Sequence, residues 1–138
     1  MTVKTRIGII CDMHMPAHKA SPQYAFLQRA VKRMKEDGVN IVICLGDITS
    51  YGEIGAWELY CDALKDFKHY EVAENSDVRD EAIRDKILGA IPEVEFLVGS
   101  RRVIGINTPD GEITTLEKER LKDVKAGDIV LCIIIFSL

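Results

Sequence analysis

Three short stretches carry side chains able to do chemistry, and each closes an apolar run. In "IGIICDMH" Asp12 and His14 stand two positions apart, in "VNIVICLGD" Gly46 and Asp47 end the run, and in "HYEVAEN" Asn75 ends it. Carboxylates, an imidazole and an amide oxygen make a ligand set suited to divalent metals of intermediate hardness. A carboxylate such as Asp47 can bridge two ions, and two ions about 3.5 to 4 Å apart clamp a phosphate ester and activate a water. Gly46 lets the backbone approach closely. Taken singly, each residue has a plainer reading, since Asp and His after a strand commonly form turns or cap helices. Turn chemistry alone gives no reason for Asp-x-His, Gly-Asp and Asn-x-Asp to follow three successive strands, so the conjunction points to a metal site. His18, in "MHMPAH", reads as a solvated loop residue, and His69 as structural.

The elements that must position these residues are marked by local signals. Residues 6–11 are apolar and rich in β-branched side chains, as in a strand buried on both faces. A helix follows, with Ser21 as cap, Pro22 at its first position, Phe26, Leu27, Ala30, Val31 and Met34 at helical spacing, and Gly38 just past its end. Residues 39–47 predict a second buried strand, and 69–75 a short third one. Between them Ile54, Trp57, Cys61 and Leu64 keep helical spacing, with Trp57 and Tyr60 in packing positions. Ala82, Ile83, Ile87, Ala90 and Ile91 predict a third helix, stopped by Pro92. Strands are expected over 94–99 and 102–107, then the turn "TPDG", then a helix opened by a Thr114–Glu117 capping box and running to about Val124. A last strand is expected over 128–138. Alternating strands and helices imply a mainly parallel sheet with ligands at the carboxyl ends of its strands.

Composition narrows the function classes. At 138 residues, 47% of them hydrophobic, the chain is about one domain with enough apolar material for a core. A formal charge of -4 with scattered Lys and Arg provides no basic face for nucleic acid. No apolar stretch is long enough for a membrane span and no leader pattern opens the chain, so a soluble cytoplasmic protein is expected. Of Cys11, Cys44, Cys61 and Cys132, three lie within apolar strand-like runs without CxxC spacing, which reads as buried, reduced thiols.

The three blocks "GIICDMH", "LGDITSYG" and "ENSD" together resemble those of calcineurin-like metallophosphoesterases, and the resemblance extends through "RRVIGINTPDGEITTLEKERLKDV". It implies a four-layer α/β sandwich, two mixed sheets flanked by helices, with a dinuclear centre at the strand ends. It also implies two divalent ions such as manganese, iron or zinc. By the resemblance Asp12, His14 and Asp47 hold one metal, Asp47 bridges to a second, and Asn75 binds that second ion. Two positions depart from the family pattern: Glu74 stands where the family has glycine, and Ser76 where it has histidine or cysteine. No histidine follows His69, whereas larger members add histidines in their second half. The chain is therefore expected to be the N-terminal portion of such an enzyme, truncated, with self-association through the apolar stretch "IVLCIIIFS". The function implied is hydrolysis of a small phosphomonoester or phosphodiester by metal-activated water. Arg79 is a candidate phosphate contact, beside its reading as a solvated helix-start arginine. A non-catalytic interaction module is the alternative. A nucleotide-binding α/β domain ranks last, because "DMHMPAH" stands where a glycine-rich phosphate loop would be.

Overall fold

The computed structural model describes residues 4–91 and 93–132. Three parallel strands, β1 (Ile7–Ile10), β2 (Ile41–Cys44) and β3 (Lys68–Glu71), form one sheet in the order β1-β2-β3. A second sheet holds β4 (Glu95–Val98), β5 (Arg101–Ile106) and β6 (Ile129–Cys132); β4 and β5 pair antiparallel, β5 and β6 parallel. The expected mainly parallel sheet is thus two sheets, one of them mixed. The reason is local: only Gly99, at φ +61°, and Ser100 separate β4 from β5, and so short a connection can join only antiparallel neighbours.

Side-chain alternation along β2 assigns its two faces. Val42 and Cys44 join Leu27, Val31 and Met34 of α1 (Pro22–Glu36), Trp57, Tyr60 and Leu64 of α2 (Ile54–Leu64), and Ile87 of α3 (Arg84–Ala90) in one core. Ile43 faces the other way and packs with Val72, Val94, Phe96 and Val103 between the sheets. The second sheet is tied to α4 (Thr115–Lys122) by Arg120, whose guanidinium donates to the carbonyls of Gly105 and Val94 at 3.1 and 3.2 Å. No helix among the described residues is long and apolar enough to cross a membrane.

Helix α1 follows its sequence signals closely. Ser21 Oγ accepts from the Tyr24 amide at 3.1 Å, Pro22 opens the helix, and Gly38 at φ +67° follows the Asp37 cap. Other expectations need correction. β1 is not covered on both faces: it is an edge strand of its described sheet, so Ile9 is 58% exposed. Phe26 is likewise exposed, and among the four cysteines only Cys44 is buried, with Cys11 open to solvent. The third helix starts at Arg84 rather than Ala82, because Asp80 Oδ1 accepts from the Ala82 amide and holds that segment in a turn. Pro92 lies outside the described residues. The α4 capping box is half formed: Thr114 Oγ1 accepts from the Glu117 amide at 3.2 Å, but Glu117 instead accepts from the Asn107 amide and pairs with Arg120. The expected strand 128–138 is described through Cys132; residues 133–138, and with them most of the stretch expected to mediate self-association, lie outside the described residues.

Candidate metal centre

Beyond the paired ends of β1 and β2 the two chains keep running side by side. The Asp12 amide donates to the Gly46 carbonyl at 3.3 Å, His14 to Asp47 at 2.8 Å and Met15 to Ile48 at 2.8 Å, and Met15 and Thr49 form a further parallel bridge. Met13 and Met15 are buried, and the residues between and before them, His14 and Asp12, face outward. This brings Asp12, His14 and Asp47 together, with a ligand atom from each within 4.8 Å of the others and His14 Nε2 3.9 Å from Asp47 Oδ2. Asp12 and His14 are exposed; Asp47 is buried. Among the described residues these three are also the only non-glycine positions with positive φ, at 53°, 43° and 51°. Such backbone is unfavourable for residues bearing a Cβ, and it persists where surrounding structure imposes it, most often at functional sites.

The third block arrives differently from its sequence reading. β3 ends at Glu71 because its partner β2 ends at Cys44, and Asn75 opens a 3-10 helix, Asn75–Val78, instead of closing the strand. Side chains then staple this helix to the loop after β2. Ser76 Oγ donates to Asp47 Oδ1 at 2.6 Å, while Asp77 accepts from the Thr49 amide at 2.9 Å and the Glu74 amide at 3.2 Å. Burial pushes the Asp77 carboxyl up to about 6, against the lowering effect of its backbone donors. Asn75 itself is exposed and precedes Ser76, the residue that bonds Asp47. Glu74 is fully buried. Its Oε2 accepts from the Asn75 amide, whereas its Oε1 has no hydrogen-bond partner. Burial raises its carboxyl, with the charges of Asp47 and Asp12 adding to the shift and the Asn75 amide opposing it.

Of the remaining histidines, neither His18 nor His69 joins this group. Arg79 caps the C-terminal end of the 3-10 helix, not the start of a helix, and its guanidinium lies 5.7 Å from the Tyr51 ring centroid. A cleft of about 400 Å³ opens beside Asp12, lined in part by Cys11, Met13, Gln23, Phe26 and Arg29. His18 is exposed in the loop. His69 is structural, as expected: its Nδ1 bonds the buried Glu71 carboxylate, which also accepts from Tyr60 Oη at 3.0 Å. Ser76, Asp77 and Glu74 are residues whose roles the sequence pattern alone did not indicate. For Glu74 and Ser76 the departure from the family pattern within "ENSD" was the available signal, and only the contacts show what each of the three touches.

Residues 5–93 match the family model of the calcineurin-like phosphoesterases. The chain belongs to this family. Among solved structures it is similar to a dimetal phosphatase from Danio rerio, with 15% identity and a TM-score of 0.61 over 86% of this chain. That alignment spans 50% of the Danio rerio chain, so the present chain corresponds to about half of its length, and the likeness shows a shared metallophosphoesterase fold. No curated protein matches the chain significantly. The residues of this calcineurin-like phosphoesterase fit the divalent ions its family uses: two aspartates and an imidazole converge at the strand ends, and one aspartate is already oriented by Ser76.

Proposed function

We propose that this chain is a metal-dependent hydrolase of small phosphomonoesters or phosphodiesters, with Asp12, His14 and Asp47 holding one divalent ion and Asp47 and Asn75 a second. The observation that carries the reading is the convergence of Asp12, His14 and Asp47 within 4.8 Å on strained backbone at adjacent strand ends. Bound ions supply charge for the phosphoryl oxygens and a hydrolytic water that ionises near neutral pH. The chain's own part is to fix the ligands and admit the ester. Ser76 holds one oxygen of Asp47, and the other faces His14. The cleft beside Asp12 offers an apolar wall from Met13 and Phe26 and a cation from Arg29, a surface suited to the organic part of an ester and its charge. Arg79, stacked over Tyr51, is a second cation for the phosphate. Four free cysteines accord with a reducing cytoplasmic setting.

Calorimetric titration with manganese and hydrolysis of bis(p-nitrophenyl) phosphate, each with and without chelator, test the proposal. Wild type is expected to bind manganese, Asp47→Ala to bind at least about tenfold more weakly, and wild-type turnover to vanish with chelator. Because no histidine follows His69, the rate is expected to be low, and the difference made by chelator is the readout. Equal manganese affinity in both proteins overturns the site. A second reading, a family member that binds partners without catalysis, is favoured by Ser76 and Glu74 at positions where the family carries other residues. Metal binding without chelator-sensitive turnover selects it.

A further inference from the structure

We propose that Glu74 is itself a ligand of the metal centre, supplying its Oε1 on the flank of Asp47 next to Asn75. The inference rests on the metal-centre reading above and extends it to a residue at a position where the family pattern has glycine. Three observations carry it. First, Glu74 is fully buried, yet Oε1 has no hydrogen-bond partner, and a buried carboxylate oxygen left unsatisfied is costly unless something binds it. Second, the other oxygen is held by the Asn75 amide, so the carboxylate is oriented with one oxygen fixed and one free. Third, the side chain leaves the backbone directly over Gly46: a Cβ on Gly46 would come within 2.6 Å of Glu74 Cβ and 3.0 Å of its Cγ. Gly46 adjoins Asp47, so its missing side chain is what makes room for the glutamate stem beside the Gly46–Asp47 backbone.

A purely structural role accounts for only part of this. Capping the 3-10 helix uses Oε2 alone, and a glutamine would cap equally well through its amide oxygen. The free oxygen is what the cap leaves unexplained. With Glu74 included, the donor set becomes the carboxylates of Asp12, Asp47 and Glu74, the amide of Asn75 and the single imidazole of His14. Such an oxygen-rich, anionic set favours harder ions, manganese over zinc, relative to a centre built from several imidazoles.

The test titrates manganese chloride and zinc chloride into wild type, Glu74→Gln and Asp47→Asn, and records the melting of each metal-free protein. Glu74→Gln keeps the cap acceptor and removes the charge. It is expected to weaken manganese binding roughly 10- to 100-fold, to weaken zinc binding less, and to melt in the metal-free state at the same temperature as wild type or higher. Wild-type manganese affinity in Glu74→Gln, together with lost affinity in Asp47→Asn, overturns the role of Glu74 and leaves the centre standing. Wild-type affinity in both variants overturns the centre as well. Should Glu74→Gln not fold, anomalous diffraction from manganese-soaked wild-type crystals decides: Glu74 oxygen within about 2.4 Å of the ion supports the proposal, and a Glu74 carboxylate turned away from it overturns the proposal.

Discussion

Asp47 shows how one side chain can be prepared for a ligand before the ligand arrives. Its Oδ1 is held by the Ser76 hydroxyl at 2.6 Å, so its Oδ2 is presented toward His14. Groups that orient a metal ligand typically change affinity by about 10- to 100-fold when removed. Ser76→Ala is therefore expected to weaken manganese binding by about tenfold, checked by calorimetry, and to lower unfolding free energy by about 1 kcal/mol through the lost buried hydrogen bond. A second residue-scale consequence concerns pH and lies away from the centre. The hydrogen bond to Glu71 raises the His69 pKa above its ordinary value, with burial opposing. The folded protein thus holds this proton more tightly than the unfolded chain, so the stabilisation is complete below a pH of about 6.5 and is lost as pH rises through the folded value. Urea denaturation is expected to show a midpoint that falls as pH rises above about 6.5 in wild type, and a flatter profile in His69→Gln. A wild-type profile as flat as the variant's contradicts the assignment.

At the scale of elements, what was legible in the sequence is what local physics decides. Ser21, Pro22 and Gly38 delimit α1 because caps and a left-handed terminus are set by neighbouring residues. Asp12, His14 and Asp47 were legible as candidates because strand ends can be read from apolar runs, and adjacent parallel strands put their ends together. What non-local pairing decides was not legible. An apolar run does not reveal whether its strand is central or at an edge, hence the exposed Ile9 of β1. Nor does a run reveal where its partner stops, hence a β3 that ends at Glu71 and an Asn75 in a 3-10 helix. The contacts of Ser76 with Asp47 and of Asp77 with Thr49 span 29 and 28 residues, beyond any spacing rule. Gly46 joins both levels. Its φ of +89° and the nearby Glu74 Cβ leave no room for a side chain. Gly46→Ala is expected to cost at least ~2 kcal/mol, from unfavourable backbone together with overpacking, and to displace Asp47 enough to weaken manganese binding. Thermal melting and titration of the same sample check both effects; unchanged melting would show that the loop after β2 yields freely.

For the molecule as a whole, folding gathers negative charge that the separate segments would keep apart. The strand ends bring Asp12 and Asp47 together, and the 3-10 helix, stapled to the loop after β2, adds Glu74 and Asp77 nearby, with Asp47, Glu74 and Asp77 buried. His14 is the imidazole among them, and the Arg79 guanidinium lies over the Tyr51 ring. Burial raises the carboxyls of Glu74 and Asp77, and the charge of Asp47 adds to each shift; this is repulsion borne by the folded state. A divalent ion that binds this arrangement and not the unfolded chain relieves that repulsion and shifts the folding equilibrium by mass action. At a free metal concentration of one hundred times the dissociation constant the gain is ~2.7 kcal/mol. For a chain of this length that corresponds to a rise in melting temperature of roughly 10 °C. Scanning calorimetry of wild type is therefore expected to show a melting temperature that climbs with manganese and returns with chelator, while Asp47→Asn melts at one temperature throughout. An equal climb in wild type and Asp47→Asn would assign the stabilisation to sites elsewhere on the surface, and the gathered carboxylates would then need another explanation.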